Sequence, residues 1–550
     1  MNNIIEVPLW LLVVLTALAV VTSLQYFLLP PVRMLLRRRA NRLIDEVNSR
    51  LALELPSFKL TKREVLIDRL VYHPHVMAEV DRVAREEGTS RDAIVQQVRG
   101  YAVEIVPAFN ARLYFKWAYW LARRIVHMLY RVRLGFANDA SLKDLPPNSS
   151  VVFVMNHRSN MDYIVATYLA AERTALSYAV GEWARVWPLQ QLIRLMGGYF
   201  VRRDSGDGLY RQVLQCYVQM AAEGGVPQAV FPEGHLSRDG KLSAPKLGLL
   251  GYLARPYLQT NQEITQQQHG ANDSKAAARP DIDSEQNQAS NPALNNLVFI
   301  PVGINYDRVL EDRILLASLQ KSRDKGAAKF KFFTLGRFAK FLGNQAWLAL
   351  TGRWYRFGYA CVNFGTPLSL SDWIEQRKAA GIEDNSWHDQ VTALSGDLME
   401  RIGRIIPILP VALVATIFRN ARHNGESAIE LSEIDIKRRV TVMIDHLVAS
   451  GAHVYIPRNN LDYAVSVGLR MLQLRHLLAN NDGWYRLVPE NEDVLDFYAS
   501  SIEHFNLDPN SSNELGSSTV ESTFNTTGNK LEYPRTSTSH QSPPVEPSSS

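Results

Sequence analysis

The sequence predicts an α/β fold: an open, mixed but mostly parallel sheet with flanking helices, preceded by one transmembrane helix and extended by further helical regions. Three observations carry this expectation. From Val151 onward, short apolar and β-branched runs (VVFVM, GGYFVRR, PQAVFPEG, NLVFIPVGINY, YACVNFG) alternate with stretches of helical periodicity, and strands separated by helices build parallel sheets. The stretch from Pro8 to Leu29 carries no charged residue. Residues 43–135 and 385–505 keep apolar positions at helical spacing, as helices packed on a core do.

In chain order, 8–29 reads as the membrane anchor. As a helix these 22 residues would span roughly 33 Å, against a hydrocarbon core of about 30 Å. A cleaved signal peptide is the alternative, and Ala17-Leu18-Ala19 resembles a cleavage site, but the preceding MNNIIE has no basic residue. Positive charge follows instead, at Arg33, Arg37, Arg38, Arg39 and Arg42. The positive-inside rule then places the bulk of the chain, including the catalytic domain, on the cytoplasmic face, at the inner membrane if bacterial. The same arginines suit an anionic leaflet. After the anchor come a helical region at 33–135 and an α/β domain at 145–375. A solvated insertion at 260–296, rich in Gln, Asn, Ser and Ala, interrupts that domain. A helical C-terminal domain at 385–505 and a disordered tail at 506–550 follow.

Composition excludes several classes. With 550 residues and 46% apolar content, the chain buries a large core and is not intrinsically disordered. Its two cysteines, Cys216 and Cys361, lie far apart in apolar surroundings, so neither a disulfide framework nor a cysteine zinc site is expected, and a reducing compartment is. A formal charge of +5 favours anionic partners without choosing between nucleic acid, lipid head groups and an anionic substrate.

Four stretches carry chemistry. In VVFVMNHRSNMDY the strand breaks off into a polar turn, and Ser159 with Asp162 three residues on marks a helix start. A ring at His157, at the carboxyl end of a strand, can fold back over the first helical turn. Asp162 would then accept a hydrogen bond from one ring nitrogen and leave the other as a general base. The bland reading is that Asp162 only stabilises the helix start, by ~1 kcal/mol. GGYFVRR brings out Arg202 and Arg203 together, guanidiniums suited to bidentate phosphate binding or simply a solvated surface. FPEGHLSRDGKLSAPKLG ends a strand in Glu233 and Gly234, then supplies Ser237, Arg238, Lys241 and Lys246. A hairpin at Asp239-Gly240 explains the turn but not Glu233-Gly234 after a strand. In NLVFIPVGINYDRV, Pro301 reads either as a strand end or as part of an apolar wall.

In this order and at these intervals, HRSNMDY, GGYFVRR, FPEGHLSRDGKLSAPKLG and IPVGINYDRV resemble the four blocks of the glycerolipid acyltransferase superfamily. More closely, they resemble the membrane-bound glycerol-3-phosphate acyltransferases of the bacterial and mitochondrial type. The resemblance covers roughly 150–370 strongly. It implies transfer of a fatty acyl group from an acyl-CoA or acyl carrier protein thioester to the sn-1 hydroxyl of glycerol 3-phosphate, the first step of phospholipid synthesis. It implies no metal and no other cofactor, membrane lipid as a partner, and no nucleic acid. His157 would be the base and Asp162 its orienting partner. Arg202 or Arg203, Glu233, Gly234, Ser237 and Arg238 would bind the phosphate and hydroxyls, with Arg158, Ser159 and Lys246 as further substrate-binding positions, and Pro301 would line the acyl site. The chain departs from the pattern at Leu236, where a basic residue is common, and at His235, where a small one is. Asn156 and Phe231-Pro232 look more like the lysophosphatidate-acylating branch. Acylation of lysophosphatidic acid or dihydroxyacetone phosphate is therefore the alternative. Further off are a metal-dependent hydrolase with His157 and Asp162 as ligands, and a non-enzymatic membrane scaffold.

Overall fold

The computed structural model describes residues 56–505, apart from 112, 138–144, 146–148, 171–173, 186, 188, 203–204, 260–295, 325–355 (except 343 and 347), 383–385 and 424–429, and it also describes Thr16. The expected anchor at 8–29 apart from Thr16, the arginines after it, nearly all of the 260–296 insertion and the 506–550 tail lie outside the described residues. Among the described residues, no helix is long and apolar enough to cross a membrane.

Among the described residues, eight strands form the main sheet: β1 (Arg131–Ala137), β2 (Ser150–Met155), β3 (Ser177–Gly181), β4 (Tyr199–Val201), β5 (Gln228–Val230), β6 (Leu297–Tyr306), β7 (Tyr359–Phe364) and β8 (Leu368–Ser369). Their spatial order is β1-β7-β6-β2-β5-β3-β4, with β8 also paired to β6. All pairings are parallel except β6 with β7 and β6 with β8. Every residue of β2 and β6 is buried, which explains why these strands read as continuous apolar runs rather than alternating ones.

The two faces of the sheet receive different helices. Val151, Phe153 and Met155 of β2 point into one apolar core, while Val152 and Val154 point into another. Each of these fully buried side chains contributes roughly 1.5–3 kcal/mol. The second core is shared with the N-terminal helices α1 (Arg63–Val71), α2 (Pro74–Glu87) and α3 (Arg91–Ile105). The first is bordered by α4 (Tyr119–Leu129) and α5 (Met161–Ala170), whereas α6 (Gly208–Glu223) and α7 (Trp387–Ile405) pack on the second. The C-terminal helices α8 (Pro410–His423), α9 (Glu433–Ala449), α10 (Leu461–Gln473) and α11 (Glu492–Ala499) close over the first core. Side-chain caps fix several starts: Asp207 accepts from Tyr210 N at 3.1 Å before α6, and Asn460 from Tyr463 N at 2.8 Å before α10.

Two elements differ from the sequence reading. Arg131–Ala137, which begins inside the stretch expected to be helical up to residue 135, is a sheet strand paired with β7 more than 220 residues away, a long-range pairing that outweighs local periodicity. The helical C-terminal region also holds a small antiparallel sheet in the order β10-β11-β9, from Leu478–Asn481, Trp484–Leu487 and Glu430–Ser432.

Candidate active site

β2 stops at Met155 and α5 opens at Met161, and the candidate base sits in the turn between them. Asn156 extends the sheet with its side chain: Nδ2 donates to the Ile304 carbonyl at 2.9 Å, and Oδ1 accepts from the Ile304 N–H at 2.7 Å. His157 then folds back over the start of α5, with Nδ1 2.9 Å from Asp162 Oδ2. That oxygen also accepts from the backbone N–H of Arg158, at 2.7 Å, and of Ser159, at 3.0 Å. Asp162 thus holds the helix start and the imidazole together, joining the two readings that the sequence left open.

A carboxylate only accepts, so the shared proton sits on Nδ1, which in the neutral ring leaves the lone pair on Nε2. No hydrogen bond reaches Nε2 among the described residues. The ring is nearly enclosed, stacked on Phe231 at 4.1 Å between centroids and met edge-on by Tyr163 at 5.4 Å. Of the residues the sequence did not single out, Tyr306 matters most. Its hydroxyl donates to Asp162 Oδ1 at 2.6 Å, so both carboxylate oxygens are satisfied. Its place in Tyr306-Asp307-Arg308 of the fourth block was the available signal. Glu311 was also missed: it accepts from the Ser159 hydroxyl at 2.7 Å and from Asn160 Nδ2 at 3.1 Å, and burial pushes its carboxyl up to about 7. Ser159 therefore faces Glu311.

The third block is tied to the same turn on both sides of His157. The His157 N–H donates to Glu233 Oε1 at 2.7 Å, Ser243 N–H donates to Oε2 at 3.0 Å, and Ser237 N–H donates to the His157 carbonyl at 2.9 Å. Glu233 is thus positioned to organise the loop. Burial pushes its carboxyl up to about 7, against the opposing pull of those two N–H groups and of Arg158. The Ser237 hydroxyl donates to the Lys241 carbonyl at 2.7 Å. Gly234 has φ +70°, and a Cβ there would stand 2.9 Å from Lys246 Cδ, so glycine suits the position on both counts. Leu236 packs against the main core, which explains an apolar residue there. Arg238 is half-buried and Lys246 exposed. Among the described residues neither side chain has a hydrogen bond or ion pair, which leaves both cations open to an anion.

Arg158 is enclosed. It donates to the Gly240 carbonyl, its guanidinium lies 5.2 Å from the Phe497 ring centroid, and its Nε and Nη2 have no partner among the described residues. Burial pulls its pKa down, against the attraction of Glu233, Tyr498, Asp162 and Asp239. Arg202 forks onto Glu104 of α3 at 3.0 and 2.7 Å, between the rings of Tyr101 and Tyr210. Glu104 also pairs with Arg185, so the guanidinium expected to take phosphate already holds a carboxylate. Arg203 lies outside the described residues. Pro301 is buried within β6, opposite Val154. Its carbonyl accepts from Gly365 N–H at 2.8 Å, in the gap where β6 changes partner from β8 at Phe299 to β7 at Val302. A residue without an N–H fits that gap. Among the described residues, no cluster of three or more His, Cys, Asp or Glu side chains could hold a metal ion.

Comparison with known proteins adds to this geometry. The Acyltransferase family model matches residues 138–258, and the model of the glycerol-3-phosphate acyltransferase C-terminal region matches 346–509. Among similar proteins, glycerol-3-phosphate acyltransferase of Alteromonas mediterranea is 23% identical over 467 residues, 81% of this chain and 50% of its own length. Those of Ectopseudomonas mendocina and Xylella fastidiosa are 26% identical over 373 residues and 22% over 489, covering 65% and 86% of this chain and 39% and 50% of theirs. The chain therefore spans half or less of the length of these relatives. The crystal structure of the 1-acyl-sn-glycerophosphate (LPA) acyltransferase from Thermotoga maritima superposes on 62% of this chain and 98% of its own at 15% identity and a TM-score of 0.27, too low to support an argument.

Proposed function

Because the chain is a relative of the glycerol-3-phosphate acyltransferases and carries both an acyltransferase domain and their C-terminal region, we propose that it transfers a fatty acyl group from an acyl thioester to the sn-1 hydroxyl of glycerol 3-phosphate. The observation that carries this reading is the His157–Asp162 pair at 2.9 Å with Nε2 left open. Nε2 removes the proton as the hydroxyl oxygen attacks the thioester carbonyl. The resulting imidazolium is stabilised by Asp162, which Tyr306, Arg158 and Ser159 keep in place. Collapse of the tetrahedral intermediate breaks the carbon–sulfur bond, and the imidazolium returns its proton to the departing thiolate. No enzyme-bound acyl group forms in this scheme.

Arg238 and Lys246 hold the acceptor phosphate, since they are the cations that the third-block loop leaves without protein partners among the described residues. Arg202 serves the phosphate only if it exchanges Glu104 for it. The donor is acyl-CoA or acyl carrier protein, and the enzyme works at a membrane, held there by the segment at 8–29. Thioester consumption by membranes carrying the chain, measured with glycerol 3-phosphate, lysophosphatidic acid and dihydroxyacetone phosphate in turn, tests reaction and acceptor together. Glycerol 3-phosphate is expected to support turnover, and preference for another acceptor would refute the assignment. His157→Ala should cut the rate by at least ~10²-fold in a protein that remains folded and membrane-bound. Retention of more than about a tenth of the rate would remove His157 as base.

A further inference from the structure

Leu113–Ala118 forms a wide π-type turn that runs straight into α4, the helix leading to edge strand β1. Tyr114, Ala118, Ala122, Val126 and Leu129 are buried along one side, a seam recurring every three or four residues. On the other side Trp117 is 62% exposed, Trp120 57% and Leu121 42%. Large apolar groups grouped in water mark a surface that something covers.

Charge narrows what that is. From Ile105 to Asn138 the sequence holds no acidic residue, but it holds Arg112, Lys116, Arg123, Arg124, Arg131 and Arg133. Arg131 and Arg133 contact Tyr463 and Tyr455. Arg123 and Arg124 are exposed and have no ion pair among the described residues. Burial first, then the positive charges of Arg123, Arg356 and Arg133, hold the His127 imidazole below its usual range, so a basic cluster gathers at the C-terminal end of the aromatic face. At 11 residues, α4 is too short to cross a bilayer, but tryptophan beside arginine on one helical face is the pattern of a helix lying in the lipid interface.

We propose that Trp117, Trp120 and Leu121, with Arg123 and Arg124, form a docking face for an anionic lipid surface, a contact separate from the expected anchor at 8–29. The face adjoins the candidate site: Tyr119 stacks on Tyr168 of α5 at 5.7 Å and His127 meets the Tyr168 hydroxyl at 3.0 Å, and α5 carries Asp162. Docking would thus set the His157 turn beside the bilayer, whatever reaction occurs there.

Leu121→Cys in the full chain, labelled with an environment-sensitive fluorophore, tests this. The native Cys216 and Cys361 are buried, and Ile434→Cys, at a site 79% exposed on α9, serves as the control. In phosphatidylcholine vesicles containing phosphatidylglycerol, the label at 121 should shift to the blue and be quenched by spin-labelled lipid, while the label at 434 stays in water. Arg123→Glu with Arg124→Glu should abolish the phosphatidylglycerol-dependent part of that quenching. A label at 121 that reports water in every vesicle, one quenched no more than the label at 434, or one shielded equally without lipid, as by a protein partner, would each overturn the proposal. The 121-against-434 comparison decides the matter even if the double charge reversal folds poorly.

Discussion

Replacing Asp162 by asparagine separates two things the carboxylate does. Three donors converge on Oδ2, from His157 Nδ1, Arg158 N and Ser159 N, while the Tyr306 hydroxyl meets Oδ1. An asparagine must put its oxygen where the three donors point, because an amide nitrogen there would face two backbone N–H groups. Its nitrogen then meets the Tyr306 hydroxyl, which can accept as well as donate. The imidazole thus keeps its proton on Nδ1, unlike a site where the amide forces the wrong tautomer at a cost of about 10⁴. What is lost is the negative charge facing the imidazolium. A charge pair about 4 Å apart at an effective dielectric of ~20 is worth up to about 4 kcal/mol, and a charge-assisted hydrogen bond exceeds a neutral one by about 1–2 kcal/mol. At about 1.4 kcal/mol per tenfold, kcat/KM should fall between roughly tenfold and 10³-fold. The assay is single-turnover thioester cleavage with glycerol 3-phosphate, alongside the thermal midpoint, which should change little. A loss as complete as that of His157→Ala would mean that the ring turns over in the variant. A loss below about tenfold would mean that Asp162 does not stabilise the imidazolium.

Arg238→Lys should raise the KM for glycerol 3-phosphate about tenfold or more and leave that for the thioester little changed, because an ammonium cannot grip two phosphate oxygens and one charge-assisted bond is worth ~1.5–3 kcal/mol; equal weakening toward both substrates would refute a phosphate contact. Glu311, raised from 4.5 to about 7 by burial, ionises in the unfolded chain before the folded one, so its contribution to stability is fully present below about 4.5 and is lost as pH rises through about 7. Denaturant titrations should show Glu311→Gln flattening the fall in stability between those pH values by up to one proton, and an unchanged slope would dismiss this origin. Gly240 has φ +87°, and a Cβ there would collide with the Phe497 carbonyl; Gly240→Ala should lower the thermal midpoint and loosen α11 in hydrogen exchange, and a midpoint within a degree or so of the parent would count against that close approach.

How far the sequence revealed the site depended on distance along the chain. The strand, the turn and the His157–Asp162 pair were legible because all lie within twelve residues, where local geometry decides the outcome. The fate of Glu233 was not: its oxygens turn to backbone N–H groups at His157 and Ser243, and a main-chain donor leaves no mark in a residue pattern. Arg202 read as a free guanidinium because its partner, Glu104, is 98 residues upstream. Arg131–Ala137 read as the end of a helix because β7, which makes it a strand, comes more than 220 residues later. Tyr306 stood in the quoted fourth block, but only the parallel pairing of β6 with β2 brings it to Asp162.

The enclosure of Arg158 has a consequence for synthesis. Its guanidinium is walled by Gly240 and Phe497, and the adjoining Tyr498 accepts from Val309 N–H at 3.0 Å and donates to Asp312 at 2.5 Å. Until Phe497 and Tyr498 leave the ribosome, a nascent chain already holding every block residue has an open sheet face and an unwalled cation beside His157. The α/β domain is made first, but it must wait for α11 to enclose Arg158, and in that interval its exposed core is a natural client for chaperones.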